Sequence, residues 1–417
     1  MPFARTEPLR RELAAALPDR PFEIRFWDGS AIPATEPDGP TFEFRSPLAL
    51  AHVLRAPGEL GLGRAFVLGL LDTDSIEKAL AIVDSFQAPR LSPGQIARLA
   101  IAAARACGLA GVPRRPSTEL RLRGERHTIG RDRQAVRYHY DAGNDFFALF
   151  LDESMTYSCA YWRDGATTLA EAQRAKLDLV CRKLELREGE RVLDVGCGWG
   201  SFAIHAAAVH GVRVLGVTLS EQQVKLGRER VRAAGMEDRV ELRVADYREL
   251  GGERFDAISS IGMVEHVGEE RIGLYMNTLA GLLGPGGRLL NHGIAKLQDF
   301  DDRDEGPFSE RFVFPDGVPL PLSRIVGAME RAGLGVRHVE GMPEDYARTL
   351  THWIEAYEQR FEDAVRLAGI ERARVWRVYL RAARAGFETG WASIYQVLAT
   401  SPGQASGPTG LVGRKPA

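Results

Sequence analysis

The run Asp194-Val195-Gly196-Cys197-Gly198-Trp199-Gly200 places a carboxylate and three glycines, one at every second position, directly after an apolar segment. Glycines in such a turn bend the chain sharply and let its backbone come close to a bound nucleoside. The spacing departs from the G-x-G-x-x-G of dinucleotide enzymes, so the turn alone names no ligand. Asp194 puts negative charge where a ligand's ammonium group would sit, and Asp246 closes the run VELRVAD, at the carboxyl edge where open sheets bind ligands. The other side chains able to do chemistry are Cys159 in MTYSCAYW, Glu265 and His266 in GMVEHVG, and His292 in NHGI. Each has a plain structural use when taken alone: a small buried thiol, a helix cap, a satisfied core histidine. The cysteines at 107, 159, 181 and 197 form neither a metal pattern nor a disulfide framework, and no metal is expected.

These groups need strands to hold them. RVLDVG (191–196), VRVLGVTL (212–219), VELRVAD (240–246), FDAISSIG (255–262) and GGRLLNHGI (286–294) read as buried strands alternating with helical segments. That rhythm specifies a mainly parallel sheet covered on both faces. Residues 343–387 read as helical and 391–399 as a late strand, while 295–322, acidic and proline-bearing, reads as an insertion over the site. Upstream, Phe22, Ile24 and Phe26 alternate, as do Phe42 and Phe44, before an amphipathic stripe of Ile76, Leu80, Val83 and Phe86. The expected organisation is a small α+β domain over 1–110, a Pro-, Gly- and Arg-rich linker over 111–133, a catalytic domain over 134–399 and a disordered tail over 400–417.

Composition narrows the function. At 417 residues, 45% hydrophobic and 26% charged, the chain is too apolar to be wholly disordered and long enough for two or three domains. A net charge of −2 argues against a nucleic-acid binder that relies on bulk positive charge. No segment is apolar for long enough to span a bilayer, and the first residues do not read as a signal peptide, so a cytoplasmic protein is expected.

Asp194, the glycine turn and Asp246 together resemble the S-adenosylmethionine site of Rossmann-like methyltransferases. In that resemblance the turn meets the methionine part and Asp246 lies beside the adenine. The second strand ends in Val217-Thr218-Leu219-Ser220, with Gln222 and Gln223 following. It lacks the acidic residue that many nucleotide enzymes carry there for the ribose, which weakens a nicotinamide reading.

The ordered strings HYDAGNDFF, MTYSCAYW, LDVGCGWG, GMVEHVG and HGI closely resemble cyclopropane fatty-acid synthases over residues 134–399. The resemblance implies a Rossmann-like class I methyltransferase core with helical insertions, preceded by a small α+β amino-terminal domain for lipid docking or dimerisation. It implies transfer of a methyl group from S-adenosylmethionine to the cis double bond of a phospholipid acyl chain, followed by loss of a proton to bound bicarbonate. Bicarbonate ligands map onto Cys159, Glu265, His292, Ile294 (through its backbone) and Tyr346, and cofactor contacts onto Tyr157, Ser158, Asp194, Gly196, Gly198, Gly200, Thr218, Gln223 and Asp246. A small anion suits hydrogen-bond donors such as these; Glu265 fits if it shares a proton or orients His292 or the bicarbonate hydroxyl. Tyr157, Tyr161 and Trp162 are expected to steady positive charge with their ring faces.

Asp152-Glu153 stands where many cyclopropane synthases have Asp-Pro, so Glu153 is a candidate second base that diverts the cation from a ring to a methylene branch. The branch is the precursor of methyl-branched, tuberculostearic-type acids and calls for a separate reductase. Asn291 before His292 is a second departure, of unassigned effect. The expected setting is the inner face of the plasma membrane, with Arg372, Arg374, Arg377, Arg381 and Arg384 as candidate contacts to anionic lipid. A homodimer is a further expectation. The alternative reading is a methyltransferase for a small soluble acceptor such as an amine.

Overall fold

The computed structural model describes residues 6–87, 89–108, 113–120, 124–140, 142–297, 307–317 and 319–403. Residues 404–417 of the disordered tail expected over 400–417, the acidic run at 298–306 and parts of the expected linker lie outside them, whereas Thr400 closes the last strand. The described residues form two compact units.

The first unit comprises the described residues within 6–120, 307–313 and 368–385. Its short strands β1 (Glu23–Arg25), β2 (Ala31–Ile32), β3 (Thr41–Phe44) and β4 (Leu71–Thr73) pair in the order β2-β1-β3-β4. The alternation noticed at Phe22, Ile24 and Phe26 is real: these side chains join Leu9, Phe44, Leu50 and Leu71 in one core. A helix at Glu7–Ala16 precedes the strands, opposite Pro93–Cys107. The unit is discontinuous, which corrects the division expected from sequence: residues 113–120 and 368–385 belong to its packing. Glu119 forms a buried ion pair with Arg64, and Arg374 donates to the carbonyls of Phe66 (2.6 Å) and Leu71 (3.1 Å) with its guanidinium over the Phe66 ring. Arg374 and Arg381 are each 8% exposed, and Arg381 holds Glu77. These two arginines therefore serve the packing of this unit and do not face lipid.

The second unit, the described residues within 122–304, 314–367 and 386–403, carries the large sheet. Its strands are β5 (Arg191–Val195), β6 (Arg213–Thr218), β7 (Val240–Val244), β8 (Phe255–Ile261), β9 (Leu283–Lys296), β10 (Leu320–Pro321), β11 (Gly335–Gly341) and β12 (Ala392–Thr400). The order is β11-β12-β9-β8-β5-β6-β7, with β10 paired to β9. From β7 to β9 the pairs are parallel; β12 runs antiparallel to both β9 and β11. Both faces are apolar, as a covered parallel sheet requires. Leu193, Val195, Leu215, Val217 and Ile258 point into one core, and Val192, Val214 and Ala257 into the other. The chain reverses its direction of strand addition between β5 and β8, and ligands bind at such a switch point.

Among the described residues, no helix is long and apolar enough to cross a membrane.

Candidate active site

The glycine turn follows β5 at the switch point. Gly196 has φ +78°, and a Cβ there would lie 2.6 Å from Met263 Cγ, so only glycine fits. Gly198, also at positive φ, has nothing within 4 Å of a built Cβ, and its backbone borders a cleft. Gly200 does not line the cleft; it starts the helix Ser201–His210 and packs near Leu242. The cleft has a volume of about 170 Å³, many times what one ordered water needs. Of the cofactor residues expected from sequence, Tyr157, Ser158, Asp194, Gly196, Gly198, Thr218, Gln223 and Asp246 all line it.

Polar groups in the cleft are held in place by one another. The Thr218 hydroxyl donates to Gln223 Oε1 at 2.8 Å. Asp194 is 2% exposed, and burial raises its carboxyl to about 7 against the pull of Lys176. Lys176, equally buried and brought down to about 8 by desolvation, donates to the Ser158 hydroxyl at 2.7 Å. Asp246 is held on the rim: both carboxylate oxygens accept from the Arg248 guanidinium at 2.7 Å. Arg248 also reaches Asp132 at 2.8 Å, which ties the helix Ile129–Tyr140 to the rim. Aromatic rings form one wall. Tyr157 stacks on Trp353 and His139, and His139 on Phe314 at 4.2 Å between ring centroids. Tyr161 and Trp162 are not part of this wall; the Trp162 indole donates to Thr349 and stacks on His352.

The second set of expected residues gathers beside the carboxyl end of β9. β8 stops at Ile261, opposite His292, and the Glu265 carboxylate accepts the Ile294 backbone N–H beyond that point. Burial raises Glu265 to about 7. The approach needs Gly293, whose built Cβ would stand 3.1 Å from Glu265 Oε2. His292 is 1% exposed, its Nδ1 lies 3.2 Å from Gln396 Nε2, and burial holds it well below its ordinary range, as neutral imidazole. Ile294 pairs with Ile394, whose carbonyl accepts Met342 N–H; the Met342 carbonyl lies 4.0 Å from Cys159 Sγ and accepts the Tyr346 N–H. Cys159 is fully buried, and desolvation keeps it a thiol. Glu265 Oε2 and His292 Nε2 are both buried without a hydrogen-bond partner among the described residues.

Glu153 stands apart. It is exposed, does not line the cleft, and meets Arg230 through its backbone carbonyl. Asn291 faces Tyr275, whose hydroxyl also meets Ser260, so the residue belongs to a buried polar cluster. Lys176, Lys183, Arg248 and Gln396 were not singled out from sequence; a lysine in a helical run carries no local sign of being buried.

The profile of the family described as mycolic acid cyclopropane synthetase matches residues 127–397. The chain belongs to that family. A probable fatty acid methyltransferase of Pseudomonas putida is 38% identical over 387 residues, 92% of each chain. A tuberculostearic acid methyltransferase of Mycobacterium tuberculosis is 32% identical over 389 residues, 90% of this chain and 87% of the relative. A solved mycolic acid cyclopropane synthase complexed with SAH and CTAB superposes with a TM-score of 0.61 at 32% identity, covering 64% of this chain and 98% of that one. The Rossmann-like methyltransferase fold expected from sequence is therefore the fold observed, and the protein is an S-adenosylmethionine-dependent methyltransferase. The cleft suits that cofactor: a glycine turn that admits no Cβ at Gly196, a buried carboxyl, and an aromatic wall whose ring faces can meet a sulfonium's charge.

Proposed function

We propose that the protein methylates the cis double bond of an unsaturated fatty acyl chain in a membrane phospholipid. The observation that carries this reading is the pair of buried, unsatisfied polar atoms, Glu265 Oε2 and His292 Nε2, beside the apolar aromatic cleft. Buried polar groups left without partners are rare in native proteins and call for a ligand. A bicarbonate ion suits the donor set: a neutral imidazole, the Cys159 thiol, the Tyr346 hydroxyl, the Ile294 backbone N–H if Glu265 gives it up to the ion, and a Glu265 carboxyl whose raised affinity for protons lets it share one. Bound there, bicarbonate supplies a base for the proton lost after methyl transfer; S-adenosylmethionine supplies the methyl group. The chain's own part is to hold these groups, to face developing positive charge with the rings of Tyr157 and its neighbours, and to keep water out. An amine acceptor would not need this apolar setting.

The relatives matched over about nine-tenths of this chain are named fatty acid and tuberculostearic acid methyltransferases. Their names support a methylene-branched product, which a separate reductase would saturate, over a ring. Glu153, exposed and outside the cleft, has no part in this choice. For access to its insoluble substrate, the protein docks on anionic phospholipid through the first unit, where the helix Pro93–Cys107 exposes Ile96 (54%) and Ile101 (52%) and also carries the exposed Arg98 and Arg105. Ile96→Glu with Ile101→Glu weakens vesicle binding at unchanged oligomeric state; a change of oligomeric state instead assigns the face to a second copy.

The test is mass spectrometry of fatty acids from a host expressing the protein and fed oleate, followed by ozonolysis. A gain of one CH2 is expected in either case. An ozone-cleavable product means a methylene branch and a resistant one a ring. No gain, with cofactor binding intact, refutes the proposal.

A further inference from the structure

His292 sits in a polar row that crosses three strands. Glu340 on β11 is directly opposite Gln396 on β12, and Gln396 is directly opposite His292 on β9. Residues opposed in this way share one face of a sheet. Lys183, the last residue of the helix Leu169–Lys183, lies on that face and is 1% exposed. Its ammonium donates to Glu340 Oε2 at 2.5 Å and to Gln396 Oε1 at 2.7 Å.

The chemistry of these groups fixes every hydrogen in the row. An ammonium has only donors, so the Gln396 side chain must turn its oxygen to Lys183 and its NH2 to His292. That NH2 lies 3.2 Å from Nδ1, which must then accept. A neutral imidazole carries one hydrogen, and with Nδ1 accepting it resides on Nε2. Nε2 is the buried atom with no partner among the described residues.

We propose that Lys183 and Gln396 are positioning residues that hold His292 in the tautomer with hydrogen on Nε2, so that a hydrogen-bond donor faces the oxyanion site. The inference rests on the reading of that site as an anion site, and it deepens it. It explains why a lysine is spent in the core of the sheet: without its charge the Gln396 amide can turn over, present its oxygen to Nδ1, and stabilise the opposite tautomer, whose Nε2 lone pair repels an anion.

The test compares Gln396→Glu, Lys183→Met and His292→Gln with the unaltered protein, all carrying nitrogen-15 histidine. The His292 signals are assigned by their loss in His292→Gln. The unaltered protein should show hydrogen on Nε2; hydrogen on Nδ1 overturns the proposal without any variant. Gln396→Glu keeps the shape, but its carboxylate only accepts, so hydrogen moves to Nδ1. Turnover should fall by on the order of 100-fold, as for the loss of one oxyanion donor, while S-adenosylhomocysteine affinity and melting temperature stay close to those of the parent. Lys183→Met should give a mixture of tautomers and a smaller loss. Unchanged turnover in Gln396→Glu alongside a large loss in His292→Gln refutes the relay but leaves the anion site standing. Unchanged turnover in both refutes the anion site itself.

Discussion

Gly293 is the point at which the fold and the candidate site can be separated by mutation. It lies in strand β9 between His292 and Ile294, so alanine there costs nothing in backbone conformation and the whole penalty is steric. A built Cβ lands on Val264 Cγ1, well inside van der Waals contact, and 3.1 Å from Glu265 Oε2. Overpacking of this kind costs about 1–3 kcal/mol, and each kcal/mol lowers the melting temperature of a unit this size by about 2–4 °C. Val264, 1% exposed, is the main obstacle, and Val264→Ala alone costs about 1–3 kcal/mol for its buried methyls. In the double variant the two changes offset each other, with a coupling of at least ~1 kcal/mol. Glu265 is not relieved by the second change, because its carboxylate still faces the new methyl. Methyl transfer from labelled S-adenosylmethionine to oleoyl phospholipid vesicles should therefore stay depressed by about 10–100-fold in the double variant, the scale on which small misplacements act. Calorimetry reads the stability. If stability and rate recover together, Gly293 does not serve the placement of Glu265 and the assignment of that carboxyl fails.

Gly196→Ala combines a positive φ with a Cβ 2.6 Å from Met263 Cγ, so S-adenosylhomocysteine affinity by titration calorimetry should fall by at least ~10-fold; unchanged affinity refutes the cradle. Glu265 has a folded-state pKa of about 7 against an ordinary 4.5. Its protonated form is the one folding favours, so its contribution to stability is fully present below 4.5 and lost as pH rises through 7, a swing of about 3 kcal/mol. Glu265→Gln, permanently neutral, should gain stability relative to the parent over that window; a difference that does not vary with pH contradicts the buried carboxyl. Glu153→Gln should leave rate and product composition unchanged, and an altered ratio of ring to branch in lipid analysis would bring Glu153 back into the chemistry.

The sheet was legible where burial is two-sided. β5, β6, β8 and β9 each carry an apolar stretch because both their faces meet a core, and the glycine turn announces where the first of them ends. β11 was missed because its residues alternate between half-buried and exposed, with Arg337, His338 and Glu340 among them. Helical periodicity correctly marked residues 343–387 as helical, but a stripe shows that a face is buried and not which core buries it. Hence 368–385 read as part of the catalytic domain although it packs in the first unit. The same limit applies to its arginines. A guanidinium at helical spacing looks solvated in sequence, yet Arg374 turns inward because two backbone carbonyls, at Phe66 and Leu71, await donors.

The site shows the same division more sharply. Its first layer was readable from residue types: thiol, carboxyl, imidazole and glycine turn stand in compact strings, and Glu265 meets the end of β9 that carries His292 and Ile294. What governs their state was not readable, because it runs across the chain rather than along it. Lys183, Glu340 and Gln396 are 56 to 213 residues apart, and they meet only through the register of β11 on β12 and of β12 on β9. A register shifted by one residue would turn Gln396 to the opposite face and leave His292 free to take either tautomer. The antiparallel strand β12 thus does more than finish the edge of a parallel sheet: it brings the amide that sets the hydrogen on the imidazole. Sheet topology is the level at which this part of the chemistry is encoded.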